Sequence, residues 1–230
     1  MNKFHAGFAL ILALGVASVA EADFITADSG DGTVDASSVV DTGSFNAQAG
    51  QLVTDRAFII PFLLPTLGAG ELFDAADLRL MLFGSGGVTF NADVYGLSRL
   101  SGVSSILAAD FFIGASDPTA TLIQDDFFTP TSPGLGTAVN SDATGDANLT
   151  DWLNTQYNGG VNAGQFAFIR VNSDVNPTGD FRYDVLTQNA GGATEKPLIS
   201  YSTVVPEPGT AMLLVLGLVA CRRWRASRVN

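Results

Sequence analysis

A chain of 230 residues, 47% hydrophobic and 15% charged, has room for one sizeable domain and too apolar a composition for a disordered acidic polymer. The formal net charge of −12 is unevenly spread: between residues 23 and 205, six basic residues stand against 21 acidic ones. A body that acidic is repelled by nucleic-acid phosphates and by anionic lipid surfaces, so nucleic acid is excluded as a partner.

The chain opens with a charged residue, Lys3, followed by the uncharged stretch Ala6 to Ala20. Ala20 and Ala22 then place small residues at the two positions a signal peptidase reads. The stretch is shorter than the ~20 residues a spanning helix needs. Residues 1–22 therefore read as a signal peptide, removed to leave Asp23 first, with the Sec translocon and signal peptidase as partners.

From Asp23 to Thr203 the apolar runs are short and turn-rich stretches such as "DSGDGT", "GSGG", "NPTGD" and "NAGGAT" separate them. Strands are predicted at Phe24–Ala27, Arg56–Phe62, Leu78–Phe83, Phe90–Leu97, Ala120–Gln124, Phe166–Val171, Phe181–Leu186 and Pro197–Tyr201. Several alternate apolar and polar, as in Phe90-Asn91-Ala92-Asp93-Val94-Tyr95. One segment has helical spacing, with Leu149, Trp152, Leu153 and Gln156 on one face, Asp146 as its cap, and Gly159 or Gly160 ending it. The fold class expected over 23–203 is all-β: a single jelly-roll-like β-sandwich with one short helix.

The only His is His5, in the signal peptide, and the only Cys is Cys221, near the C-terminus. The body therefore lacks Ser-His-Asp and Cys-His nucleophile systems and ordinary zinc sites, and no catalytic residue is assigned. Carboxylates remain. Asp74 with Asp77, or Asp125 with Asp126, are the pairs a glycan-cleaving enzyme would need, but neighbours on a strand point to opposite faces, which counts against Asp125–Asp126. Calcium takes six to eight oxygen ligands, and two Asp-rich clusters suit it. One is Asp28, Asp31 and Asp35; the other is Asp142, Asp146 and Asp151, with Asn148 between them. Both also fit the ordinary use of Asp in turns and caps. For carbohydrate, Trp152 lies on the apolar face of its helix and reads as packing, which leaves Tyr157 as the exposed ring.

The order of pieces "RAFIIPF…DLRLMLF…DWLNTQYNGG…GQFAFIRV…EKPLISY" resembles the disaggregatase-related (DNRLRE-type) β-sandwich domains of secreted bacterial proteins. The resemblance implies a sandwich that in some relatives binds polysaccharides such as alginate. It lacks the usual Tyr of the opening segment, and Ser98 to Asn140 have no counterpart.

The chain closes with Val205-Pro206-Glu207-Pro208, then Gly209-Thr210, fourteen uncharged residues from Pro208 to Cys221, and Arg222, Arg223 and Arg225. The two prolines hold Glu207 in extended backbone, the state a protease cleft accepts. Fourteen residues of helix span ~21 Å against a hydrocarbon core of ~30 Å, a marginal permanent anchor that the arginines hold on the cytoplasmic side. This order resembles the PEP-CTERM sorting signal of Gram-negative bacteria, over 204–230. It implies a transient inner-membrane intermediate, cleavage near Pro-Glu-Pro by an exosortase-type membrane protease, and delivery to the cell surface or extracellular matrix. The expected function is a non-catalytic surface or exopolysaccharide-matrix protein that binds polysaccharide. A carboxylate-dependent hydrolase or lyase is the alternative, and an ice-binding role has no Thr-x-Thr ladder to support it.

Overall fold

Alternation along the chain resolves into twelve antiparallel strands in a computed structural model that describes residues 22–85, 87–132, 136–192 and 194–205. The proposed signal peptide up to Glu21, and the sorting signal from Pro206 onward, lie outside the described residues. In chain order the strands are β1 (Asp23–Thr26), β2 (Gly32–Asp35), β3 (Val40–Thr42), β4 (Asn46–Gln51), β5 (Asp55–Leu63) and β6 (Leu72–Ser85). They continue with β7 (Ala92–Ser101), β8 (Ala120–Phe128), β9 (Thr137–Asn140), β10 (Phe166–Ser173), β11 (Arg182–Leu186) and β12 (Leu198–Val204), and α1 (Ala143–Tyr157) lies between β9 and β10. All eight predicted strands have counterparts. The four that were not predicted, β2, β3, β4 and β9, are short and carry Gly, Asp, Asn, Gln or Thr.

The result is an all-β, sandwich-like curl. One layer runs β1-β12-β6-β11-β4 and the other β5-β10-β7-β8, with β2 paired to β5 and β3 to β2. The layers join at the β4–β5 turn, through Gly50 opposite Arg56 and Gln51 opposite Asp55. The first stretch of chain crosses between layers: β1 pairs β12, Ala27 bridges to Phe62, and β2 then pairs β5. Between the layers lies the main core, including Phe58, Ile60, Phe62, Leu78, Leu80, Leu82, Val94, Ile169, Val171 and Val185.

The run Ala57 to Phe62 is buried on both faces. Its alternate residues Ala57 and Ile59 join Val34, Leu97, Ile106 and Phe168 in a second, smaller core on the outer face of the β2-β5-β10-β7 layer. The excursion between β7 and β8 covers that core. This is the segment for which the family resemblance offered no counterpart.

Helix α1 packs on β6, β8 and β7. Leu149, Trp152, Leu153 and Gln156 are buried as predicted, but the cap is Asp142, whose side chain accepts from the N–H groups of Thr144 and Gly145. Asp146 instead sits in the first turn and accepts from Ser141 Oγ. The left-handed Asn158 ends the helix one residue before the predicted glycines. Gly96 on β7 lets the helix approach: a Cβ there would stand 2.3 Å from Trp152 Nε1. Among the described residues no helix is long and apolar enough to cross a membrane.

Candidate functional site

Neither predicted calcium cluster gathers three carboxylates. Asp31 and Asp35 stand at opposite ends of β2, about 13 Å apart for four extended residues. Asp35 is tied into the β2–β3 turn, accepting from the N–H groups of Ser37 and Val39 at 2.9 Å each. Asp142 turns its carboxylate back onto its own helix N-terminus, and Asp146 and Asp151 line one shallow groove with Asp74 without their ligand atoms converging. Asp74 and Asp77 do not pair with each other either: Asp77 neighbours Asp146, and burial, with Asp146 adding to it, pushes its carboxyl above the usual range.

Tyr157 is not an exposed ring. It is 3% exposed, because it extends the buried face of α1 one turn past Leu153. Its ring meets Phe73 edge to face at 5.6 Å, and its hydroxyl accepts from Leu67 N–H at 3.1 Å. The carbohydrate assignment to Tyr157 is corrected accordingly, and Trp152 is packing, as expected.

The carboxylates that do converge are Asp93, Asp125 and Asp126, with ligand atoms all within 4.8 Å of one another. The objection to Asp125–Asp126 fails because β8 bulges. Ala92 pairs with Phe128 and Val94 with Gln124, so two residues' advance on β7 spans four on β8. Asp126 takes the left-handed conformation (φ 56°) that this requires and that Asp tolerates. Asp93, on the outer face of β7, is fully buried and accepts from Asp126 N–H at 3.0 Å and from Tyr95 Oη at 3.2 Å. Burial, with Asp125 adding to it, pushes its carboxyl up to about 6. Asp174, where β10 ends, is raised by burial and by Asp126. No Arg or Lys comes within ion-pair distance of these four acids among the described residues. Three such carboxylates suit a hard cation. As acid and base on a glycosidic bond they meet the pKa condition at Asp93 but not the access condition, since Asp93 exposes no surface.

A second constellation escapes sequence reasoning altogether. On the outer face of the β6-β11-β4 layer, Phe83 and Phe45 stand exposed at 39% and 52%, edge to face at 5.2 Å. Beside them Asp184 Oδ1 accepts from Gln48 Nε2 at 2.8 Å, Arg182 Nε at 3.2 Å and Asn46 Nδ2 at 3.3 Å. Gln48 Oε1 in turn accepts from Arg56. Asp184 Oδ2 takes no bond among the described residues, and Arg56 Nε has no acceptor there. Beyond Arg56 a shallow pocket of about 320 Å³ continues the strip, lined by Thr33, Asp35, Val39, Val40 and Asp41. The alternation of Asn46 and Gln48 was the available signal. Its meaning depends on β11, which lies about 136 residues away in sequence and supplies the carboxylate they share.

No protein-family model matches the chain, and no curated protein matches it.

Proposed function

We propose that this chain is an exported, non-catalytic surface or matrix protein whose sandwich binds polysaccharide along the Phe45–Phe83–Asp184 strip. The strip is the observation that carries the reading. A pyranose ring has an apolar C–H face and a rim of hydroxyl groups. Exposed aromatic rings take the first, and amide, guanidinium and carboxylate groups already held in place by one another take the second with little further ordering.

Export and sorting rest on the terminal residues: the signal-like stretch ending at Ala22, and the PEP-CTERM-like order from Val205 to Arg225. Two strand placements support that reading. β1 begins at Asp23 and β12 ends at Val204, and Asp23 pairs with Tyr201 in antiparallel register. The two ends of the sandwich therefore leave from the same side, so a signal peptide and a tail anchor could both reach one membrane without crossing the fold.

The test is retention of the full chain on immobilised exopolysaccharide, alone and as Phe45→Ala/Phe83→Ala. Retention should fall at least tenfold in the double variant, with the fold kept and only a modest loss of melting temperature, because both rings lie partly exposed at the surface. Equal retention of the two proteins overturns the strip, and release of shortened oligosaccharides favours the enzyme. Intact mass in a host with and without exosortase tests the sorting: a tail that stays attached in both overturns it.

A further inference from the structure

Asp31 is the most deeply buried acid outside the sites above. It exposes no surface, and its Oδ2 accepts from Gln188 N–H at 2.7 Å. Its Oδ1 has no donor, and Oε1 of the same Gln188 is also buried without one. Two orphaned acceptors on two touching residues call for positive charge, because the backbone N–H groups of Gly30, Asp31, Gln188, Asn189 and Ala190 are already committed. Asp31 N–H goes to Asp28 O at 3.1 Å and Gly30 N–H to Asp28 Oδ1 at 3.1 Å. Across the contact, Asn189 N–H goes to Thr187 Oγ1 at 3.2 Å and Ala190 N–H to Thr187 O at 3.0 Å.

The surrounding charge is net negative. Asp28 lies close enough to raise Asp31, and its Oδ2 accepts no bond among the described residues. Lys196 is the neighbouring cation, and it makes no ion pair with either carboxylate among the described residues. We propose a structural site for a hard divalent cation of the calcium class, held by Asp31 Oδ1, Gln188 Oε1 and the Asp28 carboxylate, with water and backbone carbonyls completing the shell. The ion would tie the turn before β2 to the turn after β11, two segments 157 residues apart in sequence. The site is independent of polysaccharide binding.

A proton on Asp31 is the competing way to satisfy the same oxygens. Burial, with Asp28 adding to it, pushes this carboxyl up to about 7, so the proton serves in acid and a metal is needed above that. The two differ in what removes them, pH or a chelator.

The experiment uses the full chain carrying Asp125→Asn and Asp126→Asn, which silences the other acid cluster. After EGTA stripping at pH 8, calcium titration should show one equivalent bound and a higher melting temperature. Binding should weaken at least tenfold at pH 5.5. Adding Asp31→Asn should abolish the response, since an amide brings no charge, and Gln188→Leu should weaken affinity at least tenfold if the Asp31 variant does not fold. No calcium response at pH 8, or a response retained in both Asp31→Asn and Gln188→Leu, overturns the site.

Discussion

Asp117 and Asp93 both belong to the outer face of the β10–β7 layer, yet they end in opposite electrostatic company. Every nitrogen of the Arg170 guanidinium is bonded: Nη2 reaches Asp117 Oδ2 at 2.7 Å, Nη1 reaches Asp110 O at 3.2 Å, and Nε reaches Asn172 Oδ1 at 2.8 Å. Both partners of the Arg170–Asp117 pair are nearly sealed, at 3% and 4% side-chain exposure. Arg99 does the same for Asp110, while its guanidinium lies 3.4 Å over the Phe168 ring. One step along the sheet, Asn172 stands opposite Asp93, and no cation is left for it. In a body with six basic residues, where the arginines go decides which acids are structural and which remain for a ligand. Here two arginines pin the β7–β8 excursion over the second core, and the acids at its far edge are left unpaired.

The most severe way to break this contrast is to unpair the paired side. Burial alone would raise the Asp117 carboxyl, but bonds from Thr119 and Arg170 outweigh it and hold the group below the usual range. Asp117→Ala strands the Arg170 charge in the interior and should cost about 3–5 kcal/mol, read by urea denaturation. Because the folded pKa is depressed, the stability that Asp117 contributes is present above its unfolded value and lost as pH falls through the folded one. Wild type and variant should therefore converge in acid.

Asp93 should show the reverse sign. Its folded pKa, about 6, lies above the model-peptide value, so its contribution is full in acid and lost as pH rises through 6. Between pH 4 and pH 8 wild type should lose up to about 3 kcal/mol that Asp93→Asn keeps, because the amide stays neutral and still accepts from Asp126 N–H. Parallel pH profiles of the two proteins would mean that Asp93 is screened in some other way.

The same contrast shows what could be read from residues alone. Burial periodicity was legible in the helix, where the Leu149–Trp152–Leu153 face stands as predicted because period 3.6 is a local property. It misled in β7: the alternation around Val94 and Tyr95 reads as a strand with one open face, yet Ala92 to Leu97 are buried on both, and Tyr95 lies under the β7–β8 excursion, its hydroxyl bonded to Ala115 O. Tyr157 failed because it was placed by its flanking glycines rather than by continuing the helix face. The Asp93–Asp125–Asp126 grouping was illegible because it depends on a bulge set by long-range register, and an αL Asp looks like any other Asp in the sequence. The pairing of Arg170 was hidden for the same reason, since Asp117 lies 53 residues away on a segment with no periodicity of its own.

The smallest expected effect sharpens the comparison from the unpaired side. Asp125 is exposed, and its neighbours of like charge act on it through water. Asp125→Asn should therefore stabilise the metal-free protein by only a few tenths of a kcal/mol at low ionic strength. That gain should vanish near 1 M salt, where the Debye length falls to about 3 Å. The loss in Asp117→Ala should be almost indifferent to the same salt, because ions do not enter the space around Arg170. Measured together, the two variants separate repulsion screened at the surface from a charge stranded in the interior. If salt moves both alike, the excursion over the second core is open to solvent, and Arg170 does not hold it as its hydrogen bonds indicate.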